Sequence, residues 1–177
     1  MMQPRLKSPT TTDNLGARLF LRFFLCYFVG CLVALVLFRG FAPPNAEGLG
    51  ACLSLSVPLA ALGGILTLSK PYLLLLTLFR SALDAQLLSM LFAGMRAGYG
   101  GIFTFNAYLC YLAFSVLLYC VTAARACRFC AENTAKRDAA LLFSRPFWAF
   151  VGESLLLFAL SMLLYLLWPQ LLGMLSS

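Results

Sequence analysis

Five long apolar stretches, separated by short polar segments, constrain what this chain can fold into. They cover residues 19–38, 51–68, 71–93, 102–124 and 146–172. A helix needs about 20 apolar residues to cross the roughly 30 Å hydrocarbon core of a bilayer. A helix also satisfies its own backbone hydrogen bonds, which hydrocarbon cannot do for it. The sequence therefore predicts an all-α, polytopic membrane helix bundle. Its five transmembrane helices form a single transmembrane domain over residues 18–175.

The composition excludes an ordinary soluble domain. Of the 177 residues, 62% are hydrophobic and 11% are charged, whereas a soluble domain is about 45–50% apolar and about 25% charged. A small soluble fold has too little interior to bury this excess. The net charge of +7 would suggest nucleic-acid binding in a soluble protein. Here the basic residues lie between apolar stretches, so we expect the lipid bilayer as a partner and no nucleic acid.

The positions of lysine and arginine predict an orientation. With the N-terminus inside, ten of them fall on the inner side and only two on the outer side, as the positive-inside rule requires. The inner residues are Arg5, Lys7, Arg18, Arg22, Lys70, Arg125, Arg128, Lys136, Arg137 and Arg145, and the outer ones are Arg39 and Arg96. The sequence thus predicts a multi-pass protein of the cell membrane with residues 1–17 as a cytoplasmic tail and the C-terminus outside.

The third apolar stretch contains charged residues at a depth where they are costly. Arg80 lies roughly 13 Å into this stretch at 1.5 Å of rise per residue, close to the middle of the bilayer. Asp84 follows at the i,i+4 spacing that lets helical side chains meet. Glu153 lies at a similar depth in the fifth stretch, so we expect Arg80 to bridge Asp84 and Glu153. Asn106 and Gln86 are candidates to extend this polar network.

Two interpretations of the network stay open. A charged residue inside a membrane helix costs about 2.5–3.5 kcal/mol on insertion scales and often marks a pathway for ions, protons or a substrate. A buried ion pair can instead fix how helices pack. Ser81 and Asp84 also form an S-x-x-D pattern that could start a second half-helix. Because neither Gly nor Pro lies there, we favour a continuous helix with Ser81 bonded to its own turn.

Other chemistry has little support in the sequence. There is no histidine, which removes the commonest metal ligand and acid–base group. Cys127 and Cys130 form a C-x-x-C pair next to arginines that could activate a thiol. A membrane thiol oxidoreductase usually works on the oxidising face, whereas the charge pattern places this pair on the cytoplasmic side, so we favour a surface thiol pair without a function. We predict no catalytic residues, no metal and no cofactor.

The arrangement of these features resembles the stage II sporulation protein M family. The shared features are a glycine-bearing first span (residues 28–31), the Leu78-Phe79-Arg80 step, a glycine-rich turn (residues 98–101), a fourth helix ending in basic residues (124–128) and a final span near the C-terminus. The resemblance implies a non-enzymatic scaffold that anchors membrane or peptidoglycan-remodelling partners during engulfment. The alternatives are a small transporter or substrate-binding subunit that uses the intramembrane charges, and a thiol-dependent membrane enzyme.

Overall fold

Helices account for all the regular structure in the described part of the chain. The computed structural model describes residues 10–37, 46–66, 70–96, 102–133 and 144–176. The helices are α1 (Thr10–Leu37), α2 (Ala46–Ile65), α3 (Lys70–Arg96), α4 (Ile102–Asn133) and α5 (Arg145–Ser176). The predicted all-α fold class is confirmed.

Four of the helices are long and apolar enough to cross a membrane. Their candidate spans are Leu15–Leu37, Lys70–Ala93, Phe105–Glu132 and Arg145–Leu167. Helix α2 contributes a shorter apolar segment, Leu55–Ile65, and continues through Pro58. Membrane helices tolerate an internal proline because neighbouring groups satisfy the freed carbonyl. The structure is therefore compatible with a multi-pass membrane protein.

The outer surface of the bundle is covered by large apolar side chains. Val36 is 70% exposed, Leu75 69% and Leu156 69%, and every helix has similar residues on its outer face. A soluble monomer rarely exposes apolar surface on this scale. Hydrocarbon is the solvent that fits such a surface.

Helix α3 is surrounded by neighbours, and this position determines what its central residues meet. It packs against α1, α2 and α4, whereas α5 packs against α2 and α4. Small residues allow close approach: an added Cβ at Gly30 of α1 would overlap the Ser81 hydroxyl of α3. An added Cβ at Gly64 of α2 would lie 2.9 Å from the Ala126 Cβ of α4. Small residues at helix contacts are typical of membrane bundles.

One end of the bundle collects basic side chains. A groove there is lined both by Ala17, near the start of α1, and by Arg125, near the end of α4. Gly64, at the end of α2, lies against Ala126 and against Phe150 of α5. Helices that follow one another therefore run in opposite directions. The described basic residues that this arrangement brings to one end are Arg18, Arg22, Lys70, Arg125, Arg128 and Arg145, and we call it the basic end.

Two predicted boundaries differ from the structure. Helix α4 continues to Asn133, so residues 125–133, which follow the predicted fourth span at residues 102–124, are helical. The extension has an apolar face, on which Phe129 stacks on Phe150 of α5 at 4.4 Å between ring centroids. Helix α1 begins at Thr10, so residues 10–17 of the predicted tail are helical as well. Residues 98–101, the predicted glycine-rich turn, lie outside the described residues.

Candidate functional site

Arg80 and Asp84 form a fully buried ion pair in the middle of α3. The Arg80 Nε donates a hydrogen bond to the Asp84 Oδ2 at 2.9 Å, and both side chains are 0% exposed. The pair follows from helix geometry, because residues four apart lie on the same face. The predicted contact between Arg80 and Asp84 is therefore present.

The guanidinium group of Arg80 also binds two other helices. Its Nη1 donates to the Ser56 Oγ of α2 at 2.6 Å, and its Nη2 donates to the Ser115 Oγ of α4 at 2.7 Å. The Arg80 Cζ lies 5.8 Å from the ring centroid of Tyr119 on α4, within the range of a cation–π contact. Arginine suits this position because its planar group carries five donors in fixed directions.

Asp84 connects Arg80 to helix α1. The Tyr27 hydroxyl donates to the Asp84 Oδ2 at 2.7 Å. The other carboxylate oxygen, Oδ1, is buried and has no hydrogen-bond partner among the described residues. Together Tyr27, Ser56, Arg80, Asp84 and Ser115 connect four helices, and we call them the Arg80 network.

A second polar contact lies one helical turn from Arg80. Thr77 donates to the Leu73 carbonyl oxygen of its own helix at 2.7 Å. The Thr77 Oγ1 also lies 3.1 Å from the Tyr119 hydroxyl of α4, and that hydroxyl is the donor because the threonine proton is already used. Both side chains are 0% exposed. The contact adds a further connection between α3 and α4 beside the Arg80 network.

Glu153 is not part of the network. Its carboxylate binds the Arg125 guanidinium of α4, and its side chain is 51% exposed. The predicted bridge from Arg80 to Glu153 is therefore wrong. The depth of Glu153 along α5 does not determine which helix it faces. Helix α5 packs against α2 and α4, so Glu153 does not reach Arg80 on α3.

The other candidate residues of the network lie elsewhere. Asn106 is exposed near the start of α4, and Gln86 is only half-buried on α3. Neither takes part in the hydrogen bonds described for Arg80 or Asp84. The residues that do bind the pair, Tyr27, Ser56 and Ser115, were not predicted. Their only signal in the sequence is a hydroxyl group within an apolar stretch.

Helix α3 is continuous through the network. It runs without a break from Lys70 to Arg96, and the Ser81 hydroxyl donates to the Leu78 carbonyl oxygen at 2.7 Å. The favoured interpretation, a continuous helix with Ser81 bonded to its own turn, is confirmed. The half-helix alternative is wrong.

The two thiols of the C-x-x-C pair are inside the bundle. Cys127 is 2% exposed and Cys130 is 8% exposed, because α4 continues past them to Asn133 as part of the packed bundle. The expectation of a surface thiol pair is therefore wrong. In the described ranges, no three His, Cys, Asp or Glu side chains come together as potential metal ligands.

Comparison with known proteins found no counterpart for this chain. No family model matches the sequence, and no match was found among curated proteins or solved structures.

Proposed function

We propose that this chain is a non-enzymatic membrane scaffold of the stage II sporulation protein M type. In this role it anchors or localises membrane and cell-wall remodelling partners. The observation that carries the proposal is that the polar groups of the Arg80 network bind residues of neighbouring helices. Hydrogen bonds among its residues connect four helices, which supports a role in holding the bundle together.

The cavities of the protein support this proposal. A binding site usually combines a concave pocket with a few polar groups that point into it. In three of the cavities that lie between described residues, neither Arg80 nor Asp84 belongs to the wall. This separation of the buried charges from those three cavities supports a role in packing.

The proposal includes a topology of five spans, with the basic end in the cytoplasm and the C-terminus outside. The positive-inside rule favours this orientation, since six described basic residues gather at one end. Helix α2 then crosses as the second span even though its described apolar segment is short. Helices α3, α4 and α5, which pack against it, shield part of its surface from lipid.

A small transporter is the second candidate, and one observation favours it. The Asp84 Oδ1 is buried without a hydrogen-bond partner among the described residues. Buried polar atoms are usually satisfied, so an exception needs an explanation. In a transporter this oxygen would accept a proton or a cation during the cycle.

One charge-free variant distinguishes the two candidates. Arg80→Leu combined with Asp84→Leu removes both charges and leaves no unpaired ion. A scaffold carrying both changes should still recover its membrane or peptidoglycan-remodelling partners when captured after crosslinking in host membranes. A transporter should lose uptake completely in reconstituted vesicles. Recovery of no such partners by the native protein, together with normal sporulation in a deletion strain, would overturn the scaffold proposal.

A further inference from the structure

A groove at the basic end joins apolar walls to cationic side chains. It lies between α1 and α4 and has a volume of about 460 Å³. Most of its wall is apolar, and Arg125 and Arg128 are its charged members; the remaining lining residues are Gly16, Ala17, Phe20, Leu21, Val121 and Ala124. From Val121 to Arg128 the wall extends for about 10 Å along α4 at 1.5 Å per residue. The groove thus passes from apolar to cationic along the helix.

We infer that this groove binds one anionic phospholipid. Its acyl chain would lie along the apolar wall, and its phosphate would contact the guanidinium groups of Arg125 and Arg128. Basic pockets between membrane helices are a known way to hold anionic headgroups. The groove opens on the outside of the bundle, where Leu21 is 55% exposed, so a lipid can enter sideways from the bilayer. The inference does not depend on the proposed scaffold function.

Charge complementarity selects this occupant over a neutral lipid. The described side chains of the basic end comprise six cations but only two carboxylates, Glu132 and Glu153. An uncharged or zwitterionic headgroup would leave this excess of positive charge uncompensated. An anionic headgroup compensates part of it directly at the wall of the groove.

The existing ion pairs leave room for a phosphate. Among the described residues, Arg128 uses its Nε for Glu132 at 2.8 Å, and Arg125 uses its Nη1 for Glu153. A guanidinium group has five N–H donors, so each arginine keeps others for a phosphate. All four side chains are at least 37% exposed, and exposed ion pairs are weak. A phosphate can therefore share or displace the glutamates.

The inference can be tested by native mass spectrometry of the full chain in detergent with equal amounts of phosphatidylglycerol and phosphatidylcholine. We expect the native protein to keep the anionic lipid with a preference of roughly thirtyfold, because each of the two arginines near a charged headgroup contributes roughly fivefold. Arg125→Gln with Arg128→Gln should reduce that preference to about onefold. Gly16→Phe should lower retention of both lipids, because nothing lies within 4 Å of an added Cβ at Gly16 and the ring can fill the groove.

Two controls make the result specific. Arg96→Gln removes one positive charge from the opposite end of the bundle, and its lipid preference should stay within roughly twofold of native. Inorganic phosphate at millimolar concentration should not displace the lipid, whereas an alkyl phosphate should. The inference is overturned if the native protein shows no preference. It is also overturned if Arg96→Gln abolishes the preference equally, or if phosphate alone competes as well as the alkyl phosphate. Each variant must keep the native helix content, measured by circular dichroism. If the double arginine variant fails to fold, Gly16→Phe still tests the groove, because it leaves Arg125 and Arg128 unchanged.

Discussion

Replacing Arg80 by leucine should be among the most destabilising single changes in this bundle. The change would leave Asp84 as a carboxylate with 0% exposure and one described hydrogen bond, from Tyr27. Removing one partner of a buried ion pair typically costs about 3–5 kcal/mol. We expect a loss of that size in the free energy of unfolding.

The unpaired carboxylate accounts for most of this cost. Arg80→Leu also removes two bonds to other helices, those to Ser56 and Ser115. Hydrogen bonds between membrane helices average about 0.6 kcal/mol each, so these two contribute only about 1 kcal/mol. Replacing Asp84 by leucine as well should therefore recover most of the stability, leaving a loss of about 1–2 kcal/mol. The freed serine hydroxyls can then bond to carbonyls of their own helices.

A matched control is available on α4. Arg128 and Glu132 have the same i,i+4 spacing, with the Arg128 Nε and the Glu132 Oε1 2.8 Å apart, but their side chains are 37% and 56% exposed. Arg128→Leu should cost only about 0–1 kcal/mol, because an exposed ion pair contributes little. The assay is equilibrium unfolding in mixed micelles, followed by helix content. Equal losses for Arg80→Leu and Arg128→Leu, or a double variant as unstable as Arg80→Leu alone, would refute the reasoning.

Further predictions concern contacts between the helices, with the same unfolding assay. Gly64→Val should destabilise the protein by about 1–3 kcal/mol through overpacking, since an added Cβ would lie 3.0 Å from the Ala126 Cα. Gly152→Ala is its control and should be neutral or slightly stabilising, because nothing lies within 4 Å of an added Cβ at Gly152. A loss of stability equal to that of Gly64→Val would contradict the close contact between Gly64 and Ala126. Tyr27→Phe should cost about 1 kcal/mol through the lost bond to Asp84, and no loss would contradict that bond's role.

The sequence predicts the helices and the central ion pair because both depend on local chemistry. Long apolar stretches require helices in a bilayer. The contact between Arg80 and Asp84 requires only that α3 be helical, since the i,i+4 spacing brings the two side chains together. Ser81 bonding to its own turn is likewise a local event.

The partners on other helices could not be predicted because they depend on how each helix is rotated in the bundle. Ser56 and Ser115 are each one of several hydroxyl residues within their apolar stretches, and nothing in the sequence shows that they face Arg80. Glu153 was placed near Arg80 from its depth alone, which gives no information about lateral position. Its partner Arg125 lies on the exposed face of α4, just beyond the predicted fourth span.

The apolar pattern underestimates the length of α4, which ends at Asn133, because charged residues after an apolar stretch usually mark the end of a span. Arg125 and Arg128 are three residues apart and lie on one face, while Phe129 and Cys130 are buried. This amphipathic pattern indicates a helix that continues into the membrane interface. Composition alone cannot distinguish such a helix from a polar loop.

The proposed five-span topology is tested most directly by determining on which side of the membrane each end of the bundle lies. Cysteines can be introduced at Arg18, Arg145 and Arg96, with the native protein as background, and treated with a membrane-impermeant maleimide. The five-span topology predicts that positions 18 and 145 react only after the membrane is permeabilised, whereas position 96 reacts in intact cells. Reaction of position 145 in intact cells while position 18 stays protected would put the basic residues on opposite faces and contradict the five-span topology.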